Sequence, residues 1–236
     1  MTASASLPTP PVLIVALDVS SLAQARGLVE CLGDRAGFYK VGLQLFSSEG
    51  PRAVEWLCGE GKRVFLDLKL HDIPTTVHRA ARAARTLGAD LLTVHGVGGE
   101  AMLRAAVEGA GDTTGILAVT VLTSMDLDTA STALGRKLDS LQEEVARLAI
   151  LARAAHCRGV VCAGAECRDV RTSHGDALRV LVPGIRLAGS ARDDQTRAVT
   201  PWQAAQSGAS YLVVGRTVTA AADPAEAYAR VQAEIA

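Results

Sequence analysis

Apolar residues fall into eight short runs, separated by longer stretches in which they recur at helical spacing. The runs are VLIVALD (12–18), FYKVG (38–42), RVFLDLK (63–69), LLTVHG (91–96), GILAVTVL (115–122), GVVCA (159–163), RVLVPG (179–184) and YLVVG (211–215). Most are unbroken Val, Ile and Leu rather than alternating, which is the pattern of strands covered on both faces in a parallel sheet. Between them, residues 20–33 open on SSLAQA, with a serine available as N-cap. Residues 75–88 place Ala, Val and Leu at helical intervals, and Gly88 can close that helix. Residues 138–156 are the longest helical pattern. Thr200-Pro201 and Asp223-Pro224 each read as a capping residue followed by proline at the first helical position.

Eight strand–helix units in about 220 residues predict one α/β domain, a (β/α)8 barrel. An open doubly wound sheet is disfavoured by the count of eight and by the lack of GxGxxG after the first run. Residues 12–236 are expected to form the barrel. Residues 1–11, polar and Pro-containing, read as a disordered tail without the basic and apolar regions of a signal peptide. Residues 123–137 and 184–199 are long for strand-to-helix loops, which normally run ~2–6 residues. Long loops on one face of a barrel tend to carry function.

Composition narrows the class. The 236 residues carry a formal charge of -1, with 49% apolar and 21% charged residues, which suits a soluble globular chain. Near-neutral charge and 3% aromatics leave no footprint for nucleic acid. No apolar run approaches the ~20 residues of a membrane helix. The five cysteines are scattered and form no CxxC pair, as expected of reduced thiols in the cytoplasm. Cys162 and Cys167 have no histidine at ligand spacing, so no zinc site is expected.

The chemistry sits at predicted strand ends, where barrels of this type form their active sites. Asp18 closes the first run and Lys40 lies late in the second. Asp67 and Lys69 close the third, with Asp72 just beyond, His95 closes the fourth, and Thr123 follows the fifth. Any one of these reads as a solvated strand end, but two lysines and three aspartates on three consecutive strands do not. Asp67 and Lys69 are two apart and so share a side of a strand. Flanking carboxylates favour a charged Lys69, which suits a reaction that places negative charge on carbon and then protonates it. His71 and His78 read as structural or exposed, and His95 as either a rim histidine or a functional one.

A second anchor is expected across the barrel. Pro183-Gly184-Ile185-Arg186 follows the seventh run and Gly215-Arg216 the eighth, the two loops where phosphate sites recur in such barrels. Glycines expose backbone N–H groups, and arginines grip phosphate oxygens in pairs. Gln195, in the long loop between them, is placed to cover a ligand.

The chain resembles the bacterial orotidine 5′-phosphate decarboxylases from Val12 to about Tyr228. The stretches that carry the resemblance are ALDVS, YKVGLQLF, FLDLKLHDIPTTV, TVHGVGG, VTVLTSM, GVVCAGAE, LVPGIRLAGSARDDQTR, TPWQA and YLVVGRTVT. DxKxxD alone is shared with related barrels; the ordered set is specific. Departures are Thr75, where the family often has Asn, and HGVGG, where it often has HASGG. The resemblance implies conversion of orotidine 5′-monophosphate to UMP and CO2, the last step of de novo pyrimidine nucleotide synthesis, without metal or organic cofactor. It implies a catalytic array of Lys40, Asp67, Lys69 and Asp72. It further implies a homodimer in which Asp72, with Ile73 and Thr76 beside it, reaches the partner's site. Asp18 and Lys40 match ribose contacts, and Thr123 and Ser124 the loop near the pyrimidine. Arg186, Gln195, Gly215 and Arg216 match the phosphate grip.

Other readings compete. A Mg-dependent sugar-phosphate decarboxylase or epimerase on the same barrel would need a metal ligand where Lys40 puts a cation. A Schiff-base aldolase would need a neutral Lys69, which two carboxylates oppose. A catalytically dead nucleotide-binding regulator would have no use for the intact charge array.

Overall fold

The computed structural model describes residues 10–187 and 197–236. Eight strands, β1 (Val12–Ala16), β2 (Phe38–Gly42), β3 (Arg63–Leu70), β4 (Leu91–His95), β5 (Gly115–Val119), β6 (Gly159–Val161), β7 (Arg179–Val182) and β8 (Tyr211–Val214), close in sequence order into a barrel. Every neighbouring pair is parallel, and β8 returns to β1 through the pairs Val12 with Tyr211 to Val15 with Val214. The (β/α)8 barrel expected from the eight runs is the observed fold. The strands start where those runs start and several end earlier. Asp18, Gly96, Cys162, Gly184 and Gly215 therefore lie just past their strands, in the loops of one rim.

Two periodicities decide what lies inside. Successive strand side chains face opposite sides. Ile14, Ala16, Phe38, Phe65, Leu91, Leu117, Val119, Val161, Leu181 and Val213 pack together inside the barrel. Their neighbours, such as Val15, Tyr39, Val41, Leu66, Leu92 and Val94, join the larger core beneath the helices. By the same alternation Lys40 shares a side with Phe38, Asp67 with Phe65, and Thr93 with Leu91. The polar layer is thus continuous with the apolar filling below it.

The helices start as the capping residues predict. Ser21 accepts the Gln24 amide at the helix Leu22–Leu32. Ser140 does the same for Leu141–Ala154, the longest helix, and Asp223 for Pro224–Ile235. Thr200 and Gln203 form a reciprocal capping box at Pro201–Gln206. Residues 123–137, expected as one long loop, contain the short helix Leu127–Ala133, whose first turn is capped by Asp126. Its LDTASTA sequence carries little of the apolar periodicity that marks a helix. Of the expected tail, residues 1–9 lie outside the described residues. No helix among the described residues is long and apolar enough to cross a membrane.

The helices Pro74–Thr86 and Gly99–Ala110 pack closely because Gly109 lets the backbones approach. A Cβ at that position would lie 2.2 Å from the carbonyl oxygen of His78. Since that oxygen is backbone, relief requires moving a helix. Gly109→Ala is therefore expected to lower unfolding free energy by about 1–3 kcal/mol, as overpacking does. Urea unfolding checks this, and an unchanged midpoint would show that the two helices have slack.

Candidate active site

Asp67 stands at the centre of the rim. Its carboxylate is largely buried and meets Lys69 Nζ at 2.9 Å through both oxygens. Lys40 Nζ approaches Asp67 Oδ2 at 3.6 Å and donates to Asp18 Oδ1 at 2.7 Å. Lys40 itself is only 8% exposed, whereas the Asp18 side chain faces solvent. The order along the rim is Asp18, Lys40, Asp67, Lys69, so each ammonium contacts a carboxylate. Burial alone would raise the Asp67 carboxyl. The ammoniums of Lys40 and Lys69, with hydrogen bonds from Lys69 and Thr93, outweigh it and hold that carboxyl below its ordinary value.

Local backbone geometry makes this contact. Between Leu66 and Leu70, β3 advances four residues while β4 advances two, from Leu92 to Val94. Regular alternation is broken there, and Lys69 adopts φ 48°, a left-handed conformation rare for a residue with a side chain. Its N–H, displaced from the ladder, donates to Thr93 Oγ1 at 2.9 Å. The same hydroxyl donates to Asp67 Oδ1 at 2.9 Å. Thr93 therefore orients both partners. Sequence reading passed over it because a threonine is an ordinary strand residue; the available signal was a polar residue at an inward position of LLTVH. A Cβ on Gly42 would lie 2.7 Å from Lys40 Nζ and 3.0 Å from Asp18 Oδ1, so the pair would have to shift to admit one.

These residues line a cavity of about 510 Å³. Asp18, Lys40, Asp67 and Lys69 form one wall and Thr123 another. Pro183, Gly184 and Arg186, after β7, lie across the barrel from the end of β3, and Gly215 and Arg216 follow β8, which closes the barrel onto β1. The Arg186 guanidinium donates to the Ile185 carbonyl at 3.0 Å. Gln44 and Thr219 also line the cavity, although sequence reading gave them no role. Phe65, Leu181 and Val213 provide its apolar floor.

Four expected site residues are not on this cavity. Asp72, Ile73 and Thr76 lie on the outer rim and are exposed, and Ser124 points to solvent beside Thr123. Asp72 Oδ1 instead accepts its neighbour's amide, Ile73 N–H, at 2.6 Å. Gln195 lies outside the described residues. Among the histidines, His71 is exposed with its ring 5.7 Å from that of His95. Burial, the nearby His71 and the Lys69 ammonium push His95 below its ordinary value. His78 sits 4.0 Å from Glu108, away from the cavity. No group of three or more His, Cys, Asp or Glu able to hold a metal occurs among the described residues.

The arrangement brings a paired ammonium and carboxylate to face a cavity whose β7–β8 side carries two guanidiniums. It can hold a dianion at one end while offering a charged proton donor at the other. Comparison with known proteins identifies the family. The family model described as orotidine 5′-phosphate decarboxylase / HUMPS family matches residues 11–231. The orotidine 5′-phosphate decarboxylase of Moorella thermoacetica is 47% identical over 231 residues, covering 94% of this chain and 91% of its own. That of Halorhodospira halophila is 47% identical over 234 residues, covering 98% of each. The crystal structure of the Lactobacillus acidophilus orotidine 5′-phosphate decarboxylase superposes with a TM-score of 0.84 at 35% identity, over 96% of this chain and 99% of that one. Matched by these relatives over nearly its whole length, the chain belongs to the orotidine 5′-phosphate decarboxylase / HUMPS family.

Proposed function

We propose that the chain converts orotidine 5′-monophosphate to UMP and CO2, the closing step of de novo pyrimidine nucleotide synthesis, using its own side chains and no cofactor. One observation carries this reading: Lys69 Nζ lies 2.9 Å from both Asp67 oxygens in a cavity whose β7–β8 side holds Arg186 and Arg216. The five free cysteines, three of them buried, fit the reducing cytoplasm proposed as its location.

When the bond from pyrimidine C6 to its carboxylate breaks, the electron pair stays on C6. That carbanion needs a positive charge beside it and then a proton. Lys69 supplies both, and afterwards recovers its proton from water. Asp67 holds the Lys69 ammonium in place, and it lies where the departing carboxylate would be. Repulsion between the two carboxylates adds to the driving force, while the preset ammonium is the larger contribution because it favours the charge that develops in the transition state. Asp18 and Lys40 take the ribose, and Thr123, with Ser124 next to it in the same loop, lies toward the base. Arg186, Gln195, Gly215 and Arg216 hold the phosphate. Binding at that remote end aligns the base against Lys69. A metal-dependent sugar-phosphate enzyme fits less well, since Lys40 puts an ammonium where such a site needs a ligand.

We further propose that the working unit is a homodimer with shared sites. In the single chain Asp72, Ile73 and Thr76 face outward and leave the cavity without Asp72. Ile73 is 66% exposed, and Leu43 and Val97, which follow β2 and β4, are exposed as well. A second copy covering this apolar rim would bury all three and bring its own Asp72 to the array.

Three outcomes test these assignments. Lys69→Ala is expected to abolish nearly all turnover with the fold retained, the loss falling on kcat; a variant with about a tenth of wild-type kcat would contradict the role. Thr93→Val leaves the Lys69 N–H without its acceptor, so stability should fall by about 1–3 kcal/mol. Its kcat should fall by about tenfold or more as the ammonium loses its alignment, and wild-type kcat would show that Thr93 does not orient Lys69. Finally, inactive Asp72→Asn and inactive Lys69→Ala should regain activity on mixing, because one site of the hybrid dimer has both native residues. No recovery after verified subunit exchange would rule out a shared site.

A further inference from the structure

We propose that Glu166 and Arg197 form a positioning pair that fixes the phosphate wall of the cavity against its pyrimidine wall. The inference rests on the function proposed above. Glu166 ends the stretch GVVCAGAE and Arg197 ends DDQTR, and neither residue lines the cavity.

The pair joins three segments through one guanidinium. Arg197 Nη1 donates to Glu166 Oε1 at 2.5 Å, in the helix Gly164–His174 that follows β6. Its Nη2 donates to the carbonyl of Leu122 at 3.1 Å. Leu122 immediately precedes Thr123, on the pyrimidine side of the cavity. Two residues beyond Arg197, the Val199 carbonyl accepts the Arg186 amide at 3.0 Å, and Val199 bridges Ile185 in parallel. The backbone of Arg186, on the phosphate side, is thus held by the segment that Arg197 anchors. Val199 is seated on Gly164, where a Cβ would come within 2.5 Å of it.

The energetics favour alignment over stability as the purpose. The Glu166 side chain is 2% exposed and that of Arg197 15%. Glu166 Oε2 and Arg197 Nε are buried with no hydrogen-bond partner among the described residues. A buried ion pair with such gaps adds little net stability, and apolar side chains of similar volume would do as well or better. What apolar side chains cannot do is hold the Leu122 carbonyl at a fixed distance and direction from the chain behind Arg186.

The test replaces both partners at once, with E166L/R197M. Its unfolding midpoint is expected to match or exceed wild type, while kcat/KM for orotidine 5′-monophosphate falls by about tenfold to a hundredfold. In that background Arg186→Ala should cost less than it does in wild type, because the arginine is already displaced. A stable paired variant with wild-type kcat/KM, or a fully additive Arg186→Ala, would overturn the proposal. So would a large loss of stability, which would make the pair a structural support. Should the paired variant fail to fold, R197K decides. Its single ammonium keeps the charge but cannot span both acceptors, so the same fall in kcat/KM is expected and wild-type kcat/KM would overturn the proposal. A wild-type protein inactive on orotidine 5′-monophosphate would bring down the reading of the cavity itself, and this inference with it.

Discussion

The Asp67 carboxylate is the group around which the site is built. Two ammoniums, Lys40 and Lys69, lie in the barrel rim close to each other and partly out of water. Like charges in such surroundings repel strongly, and the carboxylate between them offsets that repulsion. The dependence runs both ways, because an unpaired buried carboxylate would take up a proton. The Asp67 carboxyl is held below its ordinary value. Its folded value is lower than its unfolded one, so its contribution to stability is fully present above about pH 4 and is lost as pH falls through the depressed value.

The barrel makes that array reachable. Strand alternation fills the interior with apolar side chains and turns Lys40, Asp67 and Thr93 into the same space one layer higher. Placement of Lys69 needs more than alternation. The chain leaves the regular ladder after Leu66, and Lys69 takes a left-handed backbone whose strain is of order 1–3 kcal/mol. The Thr93 hydroxyl offsets part of that cost by accepting the stray N–H. Strain stored at Lys69, the residue proposed to deliver the proton, is a fold-level cost of holding an ammonium against a carboxylate.

Much of this was legible in the residues. The eight apolar runs, the capping pairs Thr200-Pro201 and Asp223-Pro224, and the charges ending the third run all stand out, because each is a local pattern with a local cause. Arg186 and Arg216 could be placed on one wall because parallel barrels put the ends of β7 and β8 side by side. What escaped depends on contacts between distant segments. The Glu166–Arg197 pair joins residues 31 apart through the fold. Thr93 becomes special only once β3 bulges beside it. The helix Leu127–Ala133 is short and rich in Ser, Thr and Asp, so it reads as a loop. That Asp72 acts across a dimer interface was expected from resemblance alone, and in the single chain its side chain stays outside the cavity.

The central claim is that this charge array exists to support a carbanion at C6 of orotidine 5′-monophosphate. The most direct measurement is turnover of that substrate in D2O with a chelator present, followed by mass and NMR analysis of the product. The account predicts UMP carrying one deuterium at C6, with CO2 released in equal amount and no dependence on metal. Absence of UMP, or turnover abolished by the chelator, would contradict it.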